Sequence, residues 1–227
     1  MGVPVNALCT IFYVMNNRLI HIENQLKKRW PYSYKWLRKQ NDHWDSYTNF
    51  IYKTTDWEEL IQAIAQLVQK EKLNKEEAFY YAINRWYNFW SSVAVEEIFC
   101  SLPGVIPAEN SKDKLVDFSI NNIPFDHKTS IFPKGFGKEF AYAKANKTQL
   151  MEWLYTQQSS QQRHHLANRL FVVVHNSSGN HWKLKAEISL LYNAISEYVA
   201  NFDASQLTEL NFPNNKKALS DIIWVTQ

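Results

Sequence analysis

Apolar residues recur at helical spacing through most of the first hundred residues. Asp56 is placed to cap a helix that runs to Lys70, and Asn74 is placed to cap a longer helix that runs to about Phe99. No repeat or low-complexity linker separates these segments from the rest of the chain. The pattern predicts a helical N-terminal region over 1–74 that packs on the remainder of the chain.

Beyond about residue 103 the pattern alternates between strands and helices, which is typical of an α/β fold. Short β-like runs broken by Pro and Asn come first, and RLFVVVH is a continuous apolar run of the buried-strand type. The predicted elements are strands within 103–131 and over 169–175 and 221–226, and helices over 144–158 and 186–200. With the long helix before them, they form a predicted α/β core over 75–227.

The segment 114–130, KLVDFSINNIPFDHKTS, predicts a β-hairpin. Asn121 and Asn122 suit a two-residue type I′ turn, because Asn tolerates the positive φ that this turn needs. The facing pairs would then be Ile120 with Ile123, Phe118 with Phe125, and Asp117 with Asp126. Side chains alternate along a strand, so one face is apolar and the other carries Asp117, Ser119, Asp126 and Lys128.

Two carboxylates that face each other across a hairpin repel, and this cost needs a compensating charge. A hard divalent cation such as Mg²⁺ takes carboxylate oxygens and would convert the repulsion of Asp117 and Asp126 into a binding site. Lys128 lies two residues beyond Asp126 on the same face, where it can address a phosphate oxygen. The alternative is an exposed hairpin with an ordinary cluster of charges.

A third acid comes from the long helix that Asn74 begins. Its apolar stripe is Ile83, Trp86, Trp90 and Ala94. At 100° per residue Glu97 falls between the directions of Trp86 and Trp90, while Glu96 points about 100° away and is expected to be solvated. A carboxylate on the apolar face needs a partner, so Glu97 is a candidate for the same site. The alternative is that Glu97 reaches water from the end of the helix.

The order of a helix with Glu97, a strand with Asp117 and a strand with Asp126-His127-Lys128 resembles the PD-(D/E)XK nuclease superfamily, which includes type II restriction endonucleases. The resemblance covers about residues 77–175. It implies a restriction-endonuclease-like core, in the order αβββαβ, with a central mixed sheet flanked by helices. Two departures are Val116, where the motif has Pro, and Pro124, which interrupts the second strand of the hairpin.

The same resemblance implies roles for the motif residues. Asp117 and Asp126 would hold Mg²⁺, for which Mn²⁺ can substitute, and Glu97 would support the metal. Lys128 would position or activate the attacking water. Asp117, Asp126, Lys128 and Glu97 are thus the candidate catalytic residues, and the two Asp with Glu97 are the candidate metal ligands.

Basic residues suggest where a nucleic acid would bind. The net charge is only +3, but no acid lies between Glu23 and Asp42, and the cations there alternate with aromatic residues, as suits phosphates and stacked bases. These cations are Lys27, Lys28, Arg29, Lys35, Arg38 and Lys39. An equally weighted alternative is that these cations lie on a solvated helix face whose aromatic residues pack inward. A second set comes after the hairpin and consists of Lys134, Lys138, Lys144 and Lys147.

Composition limits the kinds of binding site and the cellular location that we expect. Five Gly in 227 residues disfavour glycine-rich phosphate loops, and two Cys are too few for a disulfide framework, which predicts a reducing, cytoplasmic location. The longest apolar run, 7–15, falls short of the roughly 18 residues needed to cross a bilayer, so no membrane association is expected.

The sequence therefore predicts a Mg²⁺-dependent DNA endonuclease, of the restriction type, whose N-terminal region contributes DNA contacts or a homodimer surface. The alternatives are a catalytically silent nucleic-acid-binding protein of the same fold and a nuclease that acts in repair, in transposition or on RNA.

Overall fold

The computed structural model describes residues 15–109, 116–157 and 166–227. The helices are α1 Asn17–Lys27, α2 Asp42–Tyr47, α3 Trp57–Glu71, α4 Lys75–Ser101, α5 Phe140–Ala145, α6 Lys147–Gln157 and α7 Ile188–Ala200. The strands are β1 Val105–Pro107, β2 Phe118–Ile120, β3 Ile123–Ile131, β4 Arg169–His175, β5 Thr208–Phe212 and β6 Lys216–Thr226. Short 3₁₀ helices span Asn49–Tyr52, Lys134–Phe136, His181–Ala186 and Ala204–Gln206.

The strands form one mixed sheet in the order β1-β2-β3-β4-β6-β5. β1, β2 and β3 are antiparallel neighbours, β4 is parallel to both β3 and β6, and β5 returns antiparallel to β6. β3 pairs with β2 over residues 123–125 and with β4 over residues 126–131. The sheet therefore forks at Asp126, where β3 changes its partner.

Apolar side chains cover both faces of the sheet in the described residues. In β4, Leu170, Val172 and Val174 face the layer of α1, α3, α4 and α7, whereas Phe171 and Val173 face α5 and α6. All five side chains are fully buried. This two-sided burial explains the continuous apolar run of β4, and it confirms the predicted α/β class.

Most predicted elements are present with shifted ends. Asn74 caps α4 as predicted, and its side chain accepts the N–H groups of Glu76 and Glu77. Asp56 precedes α3 but makes no such cap bond, and lies instead 3.4 Å from His21. The helix predicted over 144–158 is two helices, α5 and α6, that meet at Asn146.

The C-terminal strand is longer than predicted: β6 begins at Lys216. Its first residues pair with β5, a strand that the sequence pattern did not predict. Residues 1–14, 110–115 and 158–165 lie outside the described part, and with them most of the apolar run 7–15, the start of the hairpin segment and the last residue of the predicted 144–158 helix. None of the helices in the described part is long and apolar enough to span a membrane.

Candidate active site at the sheet fork

The hairpin turn sets the register that brings the two aspartates together. Asn121 and Asn122 both have positive φ, 49° and 65°, as a type I′ turn requires. Phe118 pairs with Phe125 and Ile120 with Ile123, which confirms these two predicted pairs in spite of Pro124. The ladder ends there, so the predicted pair of Asp117 with Asp126 is not part of it. The Asp117 N–H donates to the Phe125 carbonyl at 2.8 Å, so Asp117 lies directly before β2 at the fork.

Asp117 is held by His127, the residue between Asp126 and Lys128. Asp117 Oδ2 accepts the backbone N–H of His127 at 2.8 Å and lies 2.7 Å from ring Nδ1, which must donate because a carboxylate only accepts. Burial alone would raise the pKa of Asp117, but the bonds and charge of His127 lower it below its ordinary value. Burial alone would lower the pKa of His127, but Asp117, Asp126 and Glu96 raise it.

Glu96 completes a group of possible metal ligands. Among the described residues, Glu96, Asp117 and His127 each offer one ligand atom, and these atoms lie within 4.8 Å of one another. Glu96 reaches solvent, yet partial loss of hydration and the charge of Asp117 raise its pKa. The ring Nε2 of His127 lies 3.4 Å from the hydroxyl of Ser92, one helical turn before Glu96. α4 therefore covers this side of the fork with polar side chains.

Asp126 has a different partner, Arg169 of β4. The two residues are directly paired in the β3–β4 ladder, and Arg169 Nε donates to Asp126 Oδ2 at 2.6 Å. Burial and the charge of Asp117 nonetheless raise the pKa of Asp126 above its ordinary value, since they outweigh the Arg169 guanidinium. The two acids interact directly, so their protonation is shared across the pair.

Lys128 comes after Asp126 on the same strand face, and part of its side chain is exposed. The protein atoms around its ammonium and the nearby Arg169 lower its pKa, against the influence of Asp126. We call Glu96, Asp117, Asp126, His127 and Lys128 the fork site. It combines three carboxylates with a lysine at the edge of the sheet.

The prediction for Glu97 is wrong in its placement. Glu97 pairs with Arg18 and accepts from Asn16 at 2.9 Å, and the neighbouring Glu96 belongs to the acid group instead. The apolar stripe did not locate the site because α4 is buried on two faces. Trp90 bonds the carbonyls of Ile51 and Thr54 on one side, whereas Ser92 meets the sheet on the other. The stripe of tryptophans marks the first face, and the fork lies on the second.

Most cations of the basic N-terminal segment are paired with acids. Lys27 contacts Glu23 and Glu187, Lys28 contacts Glu58, Lys35 contacts Glu76, and Arg38 contacts Glu77. Arg29 is fully buried, where it donates to Asn84 and lies over the rings of Tyr34, Tyr87 and Trp182. Lys39 is exposed. These contacts favour the alternative in which the aromatics pack inward.

The four lysines after the hairpin do not gather at the fork. Lys134 and Lys138 line a cavity of about 350 Å³ beyond the end of β3, together with His175 and His181. At about 3.3 Å per residue this is roughly 20 Å along the strand from Asp126. Lys144 lies over the Phe140 ring, and Lys147 pairs with the buried Asp221 at 2.8 Å.

Sequence reasoning did not single out Glu96, His127 or Arg169 as site residues. His127 had one local signal, its position inside the Asp-x-Lys motif, while Arg169 is 43 residues from its partner and only the β3–β4 register joins them. Searches against family models, curated proteins and solved structures found no match to this chain.

Proposed function

We propose that the protein is a Mg²⁺-dependent endonuclease that hydrolyses phosphodiester bonds of DNA, with a restriction-endonuclease-like core. The observation that carries the proposal is the direct interaction of Asp117 with Asp126 where the hairpin ladder ends, with Lys128 two residues further along β3. The element order α4-β1-β2-β3-α5-α6-β4 supports it, because it corresponds to the αβββαβ order of the family that the motif resembles, with the second helix divided into α5 and α6.

The donor set of the fork site fits a hard divalent cation. Glu96 and Asp117 supply carboxylate oxygens within 4.8 Å of each other, which Mg²⁺ prefers and Mn²⁺ also accepts. Asp126 lies next to Asp117 and could join them only if its carboxylate turned away from Arg169. Asp117 raises the pKa of both Glu96 and Asp126, so the cluster carries a repulsion that a bound cation would relieve. When bound, Mg²⁺ would neutralise charge on the phosphoryl oxygens and make a nearby water more acidic.

Two side chains, those of His127 and Lys128, have further roles in the proposed reaction. His127 donates twice to Oδ2 of Asp117, from its backbone N–H and from ring Nδ1, and so fixes the direction of the carboxylate. Lys128 is placed to donate to a phosphate oxygen or to the attacking water, because it is exposed and shares a strand face with Asp126. Loss of hydration and the charge of Arg169 lower the pKa of Lys128, and a partly desolvated ammonium is attracted more strongly to a phosphate.

A second candidate function is DNA binding without cleavage. It is favoured by the ion pair between Arg169 and Asp126, which gives Asp126 a positive partner without any metal. In this case Arg169 would keep its place, and the fork would bind phosphate through Lys128 alone.

Incubation of the pure protein with supercoiled plasmid DNA, with Mg²⁺ and with EDTA, separates these functions. Discrete fragments that appear only with Mg²⁺ are expected of a restriction-type enzyme, and a smear is expected of a nuclease without sequence preference. Retardation of the plasmid without cutting would favour the binding protein. An unchanged plasmid that migrates freely would exclude both.

A further inference from the structure

The side chain of Lys185 is held by hydrogen bonding on the α4 side of the fork site. It belongs to the 3₁₀ helix His181–Ala186, which packs on β3 and α4. Its Nζ donates to Asn88 Oδ1 at 3.1 Å, and its carbonyl accepts the Ser91 hydroxyl at 2.8 Å. Asn88 precedes Ser92 by one turn, about 6 Å along α4, and Ser92 contacts His127. Lys185 is thus tied to the helix that carries Glu96.

The charge of Lys185 has no counter-ion in the described residues. No carboxylate there lies within 4.0 Å of its Nζ, and the group that holds it, Asn88, is a neutral amide. Burial and the charge of Lys128 lower its pKa to about 8. By contrast, Lys27, which is more open to solvent, has two glutamates at 2.6 and 2.7 Å.

A poorly solvated ammonium without an acid destabilises the fold, so such a group marks a place for an external anion. The 3₁₀ helix of Lys185 packs on β3, the strand that carries Lys128, and the charge of Lys128 contributes to the lowered pKa of Lys185. An anion with several negative charges would suit two neighbouring cations, and a nucleic-acid strand with its repeated phosphates is such an anion.

We propose that Lys185 binds a phosphate of the DNA strand next to the one held at the fork site. The inference rests on the proposed function, since it supplies a substrate contact for that site. Asn88 holds the ammonium in place before the strand arrives, and Tyr34 Oη, which contacts Asn88 at 3.1 Å, holds the amide. The phosphate would then gain a fixed partner at little cost in side-chain entropy.

Fluorescence anisotropy with a duplex oligonucleotide, in Ca²⁺ and over a series of salt concentrations, tests this contact. Lys185→Gln should weaken binding about tenfold or more and reduce the slope of log K against log salt by about 0.9. Lys185→Arg should keep most of the affinity. The matched control is Lys217→Gln on β6, two strands away from β3, which removes one charge from an exposed pair with Glu209 and should change neither quantity.

Thermal unfolding distinguishes a binding role from a structural one. Lys185→Gln should unfold no lower than wild type, because it removes a charge that has no counter-ion in the described residues and keeps a group that can donate to Asn88. Wild-type binding with Lys185→Gln equal to Lys217→Gln in affinity and slope would overturn the role of Lys185 and leave the proposed function standing. Failure of wild type to bind the duplex at any salt concentration would overturn both.

Discussion

Neighbouring glutamates on α4 have opposite environments, although they are adjacent in sequence. Glu96 lies within the acid group of the fork, whereas Glu97 faces α1 and pairs with Arg18. Their substitution by Gln makes the same change in charge and size at two adjacent positions. The pair therefore isolates the contribution of the fork from general effects on α4.

Glu96→Gln should lower Mg²⁺ affinity by about 10- to 100-fold, since it removes a charged oxygen from the donor set. Glu97→Gln should leave the affinity unchanged and cost at most about 1 kcal/mol of stability, because its partner Arg18 is largely exposed. Isothermal titration with Mg²⁺ measures both. Equal losses in the two variants would show that Glu96 has no special part in metal binding.

Lys185 predicts a pH dependence of stability. Its pKa is about 8 in the folded chain against an ordinary 10.5, so the fold disfavours the charged form. The penalty is fully present below pH 8, and it is relieved as the pH rises towards 10.5, because the unfolded chain then binds more protons than the folded one. Wild type should thus gain about 1–3 kcal/mol relative to Lys185→Met over this range. Urea unfolding at several pH values measures the difference, and a constant difference would contradict it.

At the scale of elements, the hairpin shows what local sequence determines. Its register depends on two adjacent Asn residues and on alternation, both of which are visible in the sequence. The position of Glu96 depends instead on which elements pack on each face of α4, which no local pattern contains. The buried strand β4 was predictable from its composition, but its pairing of Arg169 with Asp126 was not.

The turn itself can be tested. Asn122 has φ of 65°, so Asn122→Gly should be neutral or stabilise the protein by a few tenths of a kcal/mol, and Asn122→Val should destabilise it by about 1–2 kcal/mol. Chemical unfolding measures the two changes. If Asn122→Val also lost Mg²⁺ affinity while folded, the turn would be shown to set the site; equal stabilities of the Gly and Val variants would contradict a type I′ turn.

At the scale of the whole molecule, the N-terminal helices pack on the core through α4 and α7. The basic segment contributes to this packing through its ion pairs with α3 and α4 and through the buried Arg29. These cations and aromatic residues therefore contribute to the packing of the N-terminal helices. Composition alone left both roles open, because the acids that pair with these cations lie up to 160 residues away in sequence, as Glu187 does from Lys27.

Replacement of the exposed cations Lys28, Lys35, Arg38 and Lys39 by Gln should therefore leave the salt dependence of DNA binding almost unchanged. Stability should fall by about 0.2–1 kcal/mol for each ion pair lost. Anisotropy over a salt series and urea unfolding measure the two effects. A slope reduced by about 0.9 for each charge removed would show that this segment binds phosphates after all.

The rate at which supercoiled plasmid is cut in Mg²⁺ by Asp117→Asn, Asp126→Asn and Glu97→Gln, each beside wild type, tests most directly whether the fork site is catalytic. Both Asp variants should fold and cut at least about 100-fold more slowly, while Glu97→Gln should cut at nearly the wild-type rate. Wild-type cutting by either Asp variant, or the absence of any cutting by folded wild type, would contradict the account.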